Sequence, residues 1–93
     1  MQFVLIIHEV ANYADWKIGF DKAANLRKEA GELSYQVLIY DNAPNKVVHF
    51  SHWKNHELAK AFFESEKVKQ IRKELGVKQP DFIYLNELES GLL

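Results

Sequence analysis

The first ten residues after Met1, QFVLIIHEVA, constrain the fold more than any other stretch of the chain. β-Branched and aromatic residues dominate, and in an extended chain successive side chains point to opposite faces. Both alternating sets are apolar: Phe3, Leu5 and Ile7 on one side, Val4, Ile6 and Val10 on the other. A strand of this kind needs cover on both faces, so it belongs inside a sheet that is packed on two sides. The run has no basic flank and is far shorter than the roughly 20 apolar residues of a membrane span, which argues against an anchor and for a cytoplasmic protein.

The rest of the chain supplies the cover. From Tyr13 to Ala30 the larger nonpolar residues recur as Trp16, Gly19/Phe20, Ala23, Leu26 and Ala30, which predicts one helix with an apolar stripe, stopped by Gly31. Leu33–Tyr40 reads as a second strand, Asp41–Asn45 as a turn, and Lys46–Trp53 as a third strand forming a hairpin with the second. Asn55 is placed to cap a helix over His56–Phe63, and Ser65 to cap another segment that runs to Gly76. Pro80 opens a last strand. The expected class is α+β: a single domain over residues 1–93 with ferredoxin-like order β-α-β-β-α-β, a four-stranded antiparallel sheet and helices on one face.

That arrangement leaves one sheet face without helices, and the first strand makes it apolar whichever register holds. A bare face of this kind exceeds what soluble monomers expose, so a homodimer is expected, sheet on sheet. Letting the most hydrophobic set of each strand face the helices places Val37, Ile39, Val48, Phe50, Ile83 and Leu85 there. The opposite phase then holds Gln36, Leu38, Tyr40, His49, Ser51, Trp53, Phe82, Tyr84 and Asn86. A mixture of aromatic and hydrogen-bonding groups suits a small-molecule pocket, and it equally suits a dimer interface.

Twelve Lys and Arg against thirteen Asp and Glu give a net charge of −1. No global field draws the chain to nucleic acid or to anionic lipid, and an RNA-binding reading of the same element order lacks both a basic surplus and the Gly-aromatic signature of its third strand. Without cysteine there is no thiolate nucleophile, thiolate metal site or disulfide. The histidines of HFSHWKNH do not make a metal site: His49 and His52 differ in strand parity, and a strand-to-helix change separates His52 from His56. His52 and His56 read as solvated or capping residues. His49 shares a face with Ser51 and Trp53 and can serve as a general base near neutral pH, against the alternative of a satisfied interface residue. His8 reads as a core-edge residue bonded to a backbone carbonyl. Arg27, on the stripe of Trp16 and Phe20, either extends its head to solvent or contacts an anion.

The stretches HEVANYADWKIGFDKAANLRKEAG, YDNAPNKVV and HWKNHELAKAFFESEKVKQIRKELGV, with Pro80 after them, resemble small members of the antibiotic-biosynthesis-monooxygenase-like family of dimeric α/β barrels. The resemblance covers nearly the whole chain. It implies a homodimer with a small-molecule pocket, and it admits oxygenases of anthrones and quinols that use no metal or flavin, haem-degrading enzymes, and many members with no assigned reaction. Of the Asn, Trp and His that act together in the haem-degrading branch, only Trp53 has a counterpart. The oxygenase branch implies a pocket between sheet and helices for an electron-rich phenol, with His49 or His8 as base, Trp53, Tyr84 and Asn86 as positioning groups, and no bound cofactor. A noncatalytic ligand-binding or regulatory dimer is the second reading.

Overall fold

The computed structural model describes all of residues 1–93. The elements run β1 (Gln2–Val10), α1 (Tyr13–Lys22), α2 (Ala24–Ala30), β2 (Glu32–Tyr40), β3 (Ala43–Trp53), α3 (His56–Phe63), α4 (Glu66–Glu74) and β4 (Val77–Asn86). The four strands form one antiparallel sheet in the order β2-β3-β1-β4, with β1 between β3 and β4. This is the α+β, ferredoxin-like arrangement. No helix is long and apolar enough to cross a membrane.

Local chemistry accounts for most boundaries. The Asn12, Asn55 and Ser65 side chains each accept a hydrogen bond from the backbone N–H three residues on, closing the starts of α1, α3 and α4. Gly31 and Gly76 follow the last helical turns with φ of 126° and 72°, where a side chain would be strained. The single helix expected over Tyr13–Ala30 is two, divided at Ala23. The division lets Arg27, one turn into α2, donate from Nη1 to the Phe20 carbonyl at the end of α1 over 2.5 Å, so a side chain satisfies a helix-end acceptor.

Two strand boundaries also differ from expectation. β3 begins at Ala43 because Tyr40 pairs with Ala43 across a tight turn, while Ile39 pairs with Val47; the residues between arch out of the ladder instead of forming a longer loop. β4 begins three residues before Pro80. Ile7 pairs with Asp81 but Glu9 with Lys78, so β4 carries one extra residue opposite His8, and Gln79 takes a φ of 44° there. Such a bulge tolerates the missing N–H of Pro80.

The strand phase is the main correction. Val4, Ile6, His8 and Val10 of β1 and Val47, His49, Ser51 and Trp53 of β3 are the buried residues, covered by the helices. On β4, Phe82 and Tyr84 pack inward while Ile83 and Leu85 are exposed. Val37 packs against the helix-side core as expected, but the assignments of β3 and β4 are reversed: Val48, Phe50, Ile83 and Leu85 lie on the open face. Ranking by hydrophobicity fails when both faces of a strand are apolar, because the ranking then ignores whether buried polar atoms can be paired. Here they are.

Candidate functional site

Strand alternation puts His49, Ser51 and Trp53 in one row of β3 beneath the helices, and the β2–β3 register sets Glu32 across from Trp53. Glu32 directly follows the Gly31 stop, so its carboxylate turns under α2 toward this row. Its Oε1 accepts from Arg27 Nε at 2.8 Å, and its Oε2 lies 2.8 Å from His49 Nε2 and accepts from the Ser51 hydroxyl. The Ser51 oxygen in turn accepts from Trp53 Nε1 at 2.5 Å. All five residues are buried. A buried carboxylate is tolerable only when cations and donors surround it. Burial alone would raise the Glu32 pKa, but the hydrogen bonds from His49, Ser51 and Arg27 outweigh it and hold the group below the ordinary carboxylate range, ionised.

Arg27 is fixed by aromatic rings as well as by charge. Its guanidinium carbon sits 3.7 Å from the centroid of Phe20 and 5.2 Å from that of Tyr35. Phe20 stacks on Trp16 at 4.8 Å and meets His49 edge-on at 4.9 Å. The stripe read from the sequence as core thus continues into the polar row. Of the two alternatives for Arg27 the structure realises an anion contact, and the anion is the protein's own carboxylate.

Beside this network lies a cavity of about 80 Å³ between sheet and helices. His8, His49, Arg27 and Arg72 supply its polar lining; Ile6, Trp16, Phe20, Phe63, Leu75 and Phe82 are among its apolar walls. His8 is 5.1 Å from Trp16, and its Nε2 is buried with no hydrogen-bond partner. The backbone carbonyl expected to hold it is not among its partners. Burial, then the charges of His49 and Arg72, push the His8 pKa down to about 4, so its imidazole is neutral at physiological pH. Arg72 donates to the Phe63 carbonyl at 2.9 Å and lies 5.1 Å from the Phe82 centroid, and it makes no ion pair. The wall therefore holds one compensated cation, Arg27, and one uncompensated cation, Arg72. No three His, Asp or Glu converge at metal-binding distances.

The pocket thus lies on the helix side of the sheet, whereas the strand phase read from sequence set it on the face without helices. His49 and Trp53 come together with Arg27 through Glu32 and Ser51, and His8 joins across the cavity. Trp53 does not line the space; it backs Phe62 and Phe63, at 5.6 and 5.4 Å, which do. Tyr84 stands apart, against His56 and Lys60, its hydroxyl pKa raised by burial and the Glu64 charge. Tyr40 lies at the hairpin end near Lys46, and Asn86 pairs with Gln2 at the sheet end beside Asn55 and His56. Neither lines the cavity. His56 ties strand ends together, with Nε2 3.1 Å from the Phe3 carbonyl and 3.0 Å from that of Leu85, and His52 stacks on Phe3 on the open face.

Sequence reading missed Glu32 and Arg72. An arginine on the same stripe as Trp16 and Phe20 calls for an acid nearby, and Glu32, five residues on and just past the helix stop, is the candidate that signal could have found. Arg72 follows Val68 at a spacing of four, which marks the inward face of α4.

Comparison with known proteins gives a consistent answer. The family model described as antibiotic biosynthesis monooxygenase matches residues 16–74. No curated protein matches the chain. Among solved structures, a proposed antibiotic biosynthesis monooxygenase from Deinococcus radiodurans aligns over 100% of this chain and 98% of its own, at 18% identity and a TM-score of 0.71. SnoaB, a cofactor-independent oxygenase from Streptomyces nogalater, aligns over 96% of this chain and 93% of its own, at 13% identity and a TM-score of 0.75. A proposed antibiotic biosynthesis monooxygenase from Bordetella bronchiseptica aligns over 96% and 100%, at 17% identity and 0.75. At these identities the structural likeness establishes the fold.

Proposed function

Because the chain belongs to the antibiotic biosynthesis monooxygenase family, we propose that its helix-side cavity oxygenates a small electron-rich phenol or quinol with molecular oxygen and without a bound cofactor. The observation that carries this reading is the pairing of two imidazoles in unlike environments around one cavity: His49 held by the Glu32 carboxylate, and His8 neutral with a free Nε2.

The roles follow from charge. Glu32 balances the positive charge that a proton on His49 would bring and orients the ring, leaving His49 Nδ1 as the atom to accept the substrate proton. His8, too weak a base to hold that proton, fits a hydrogen bond to a substrate hydroxyl or carbonyl. Arg72, a cation without a carboxylate, stabilises the anion that deprotonation leaves. The anion transfers an electron to O₂, the radical and superoxide combine at carbon, and loss of water from the hydroperoxide gives a carbonyl. In sum a CH₂ (or its phenol tautomer) and O₂ become C=O and H₂O, with O₂ the oxidant and one of its oxygens reduced to water.

Size limits the substrate. A cavity of about 150 Å³ accepts benzene, so the roughly 80 Å³ here admits a ring only when its wall yields. Leu75, one of the lining residues, packs so closely on Gly19 that an added Cβ would meet its Cδ2 at 2.1 Å, so this part of the wall has no slack.

The same reading includes a second copy of the chain over the open sheet face, where Leu38, Ile83 and Leu85 are exposed and Phe3 stacks on Phe50 at 5.0 Å. Oxygen uptake with a panel of reduced quinols and anthrones tests the chemistry: uptake is expected, abolished in His49→Ala and strongly reduced in Glu32→Gln. Saturable binding of the panel without uptake would instead favour a noncatalytic binding protein of this fold.

A further inference from the structure

The cavity between sheet and helices has an unequal charge balance. Its ionisable lining consists of His8, His49, Arg27 and Arg72, all of them bases, and no acidic side chain lines it. Glu32, itself outside the lining, offsets Arg27 at 2.8 Å. Arg72 has no such partner and makes no ion pair. Burial already disfavours its charge and lowers its pKa. An anion beside it would reverse that effect.

Arg72 is also held ready for a partner. One of its five N–H groups is spent on the Phe63 carbonyl at 2.9 Å, and four keep no protein acceptor. The guanidinium carbon stands 5.1 Å from the Phe82 centroid, so a ring and a carbonyl together fix the group before any ligand arrives. A planar fork held in this way matches a carboxylate, which it can bind through two parallel bonds. In the same lining, His8 is 6% exposed and its Nε2 has no hydrogen-bond partner. Water satisfies hydrogen bonds of this kind but leaves the charge unbalanced; an anion satisfies both. Volume sets its size. A cavity of about 150 Å³ accepts the six carbons of benzene, so about 80 Å³ holds about three or four heavy atoms, those of formate or acetate.

We infer that the cavity is a binding site for a small carboxylate anion, paired with Arg72 and taking the free hydrogen bond of His8, its short alkyl end against Phe63 and Phe82. The assignment rests on the reading above that this cavity is where the protein takes its ligand. It adds a ligand class: a short-chain acid occupies the place of the phenolate oxygen on Arg72 and competes with it.

Histidine-ring NMR on the full chain tests it, because two of the four histidines, His8 and His49, line the cavity and the other two, His52 and His56, do not. Sodium acetate, titrated at constant ionic strength, is expected to shift the His8 and His49 signals saturably and to leave those of His52 and His56 in place. Acetamide, the neutral isostere, should bind at least about tenfold more weakly, and Arg72→Gln should weaken acetate by a like factor. Unmoved His52 and His56 signals show that the variant is folded; if it is not, the contrast of acetate with acetamide in the unaltered chain decides alone. Benzoate should bind less tightly than acetate, and Leu75→Ala should narrow that gap. Equal binding of acetate and acetamide, shifts of all four histidines that grow without saturating, or a folded Arg72→Gln chain that binds acetate unchanged overturns the inference. Benzoate binding as tight as acetate in the unaltered chain overturns the size limit and with it the small-carboxylate assignment. Saturable acetate binding by a chain that takes up no oxygen with the quinol panel sinks the oxygenase reading and leaves the carboxylate site standing. Oxygen uptake that acetate does not inhibit sinks the carboxylate site alone.

Discussion

Each face of the sheet carries residues that an ordinary small domain would place on the other. Under the helices, where apolar packing is expected, stand Glu32, His49, Ser51, His8 and Arg27, all buried. On the face without helices, where polar residues are expected, stand Phe3, Leu5, Ile7, Phe50, Ile83 and Leu85. Each inversion costs stability in an isolated subunit: polar groups lose water on one side, and apolar surface keeps it on the other. The two are retained for different reasons. The inner face keeps polar atoms beside a cavity where they can act on a ligand. The outer face keeps apolar ones that a second subunit can cover. The comparison predicts that apolar substitutions damage the inside and that polar substitutions spare the subunit on the outside.

The largest effect should come from Glu32. Glu32→Leu leaves the Arg27 guanidinium buried without a counter-charge and strips the His49 and Ser51 side chains of their shared acceptor, a loss of about 3–5 kcal/mol. Urea unfolding would measure it. A loss below about 1 kcal/mol would mean that the network is solvated and that the inner face is not distinctive. Adding Arg27→Met should recover part of the loss, because the uncompensated cation is what dominates it.

Acid separates the two inner-face groups. His8 has its pKa lowered from 6.5 to about 4 in the folded chain. Between those values the unfolded chain takes up a proton that the folded chain refuses, so stability is complete above pH 6.5 and declines as pH falls. The full decline is about 3 kcal/mol, at roughly 1.4 kcal/mol per unit. Glu32, also lowered, contributes stability above its unfolded value of 4.5 that disappears as pH falls through its folded one. His8→Phe should therefore flatten the stability profile between pH 6.5 and 4.5 and leave the steeper loss below 4.5 intact. A profile unchanged in the upper window would mean that His8 is exposed to water.

How far the sequence carried this comparison depends on which signals are local. The caps at Asn55 and Ser65, the stops at Gly31 and Gly76, and the Trp16–Phe20 stripe are matters of a few neighbouring residues, and they placed the elements in order. The shared parity of His49, Ser51 and Trp53 likewise groups them in one row. Which face that row takes is not local. With both faces of β1 apolar, the choice rests on whether Glu32 arrives from another strand to pair with His49 and Ser51, seventeen and nineteen residues away. The bulge opposite His8 is likewise set by β4, and the Pro80 that marks it in sequence reads as a strand start when taken alone.

Ser51 probes the inner face more gently. Ser51→Ala takes a hydrogen bond from Glu32 and leaves the Trp53 indole N–H, inside the core, without its acceptor. A loss of about 1–3 kcal/mol is expected in urea unfolding. Ser51→Thr keeps the hydroxyl and should recover most of it if the added methyl finds room; recovery absent from Thr but present in Gly would point to packing instead.

The smallest effect should be found outside. Leu38 and Ile83 are already 50% and 41% exposed in the subunit, so Leu38→Ser/Ile83→Ser removes little buried area and should change the stability of an isolated subunit by about 0.5 kcal/mol or less. Set against Ser51→Ala, this makes the polar-to-apolar change inside the costlier of the two, the reverse of what the side chains' own hydropathy suggests. Concentration supplies the second half of the contrast. If a second copy covers this face, the unfolding midpoint of the unaltered chain rises with protein concentration, since association stabilises the folded state by mass action. The double variant should lose that dependence while keeping the midpoint that the unaltered chain approaches on dilution. A midpoint independent of concentration in the unaltered chain would leave the outer face bare, and with it the reason for its being apolar.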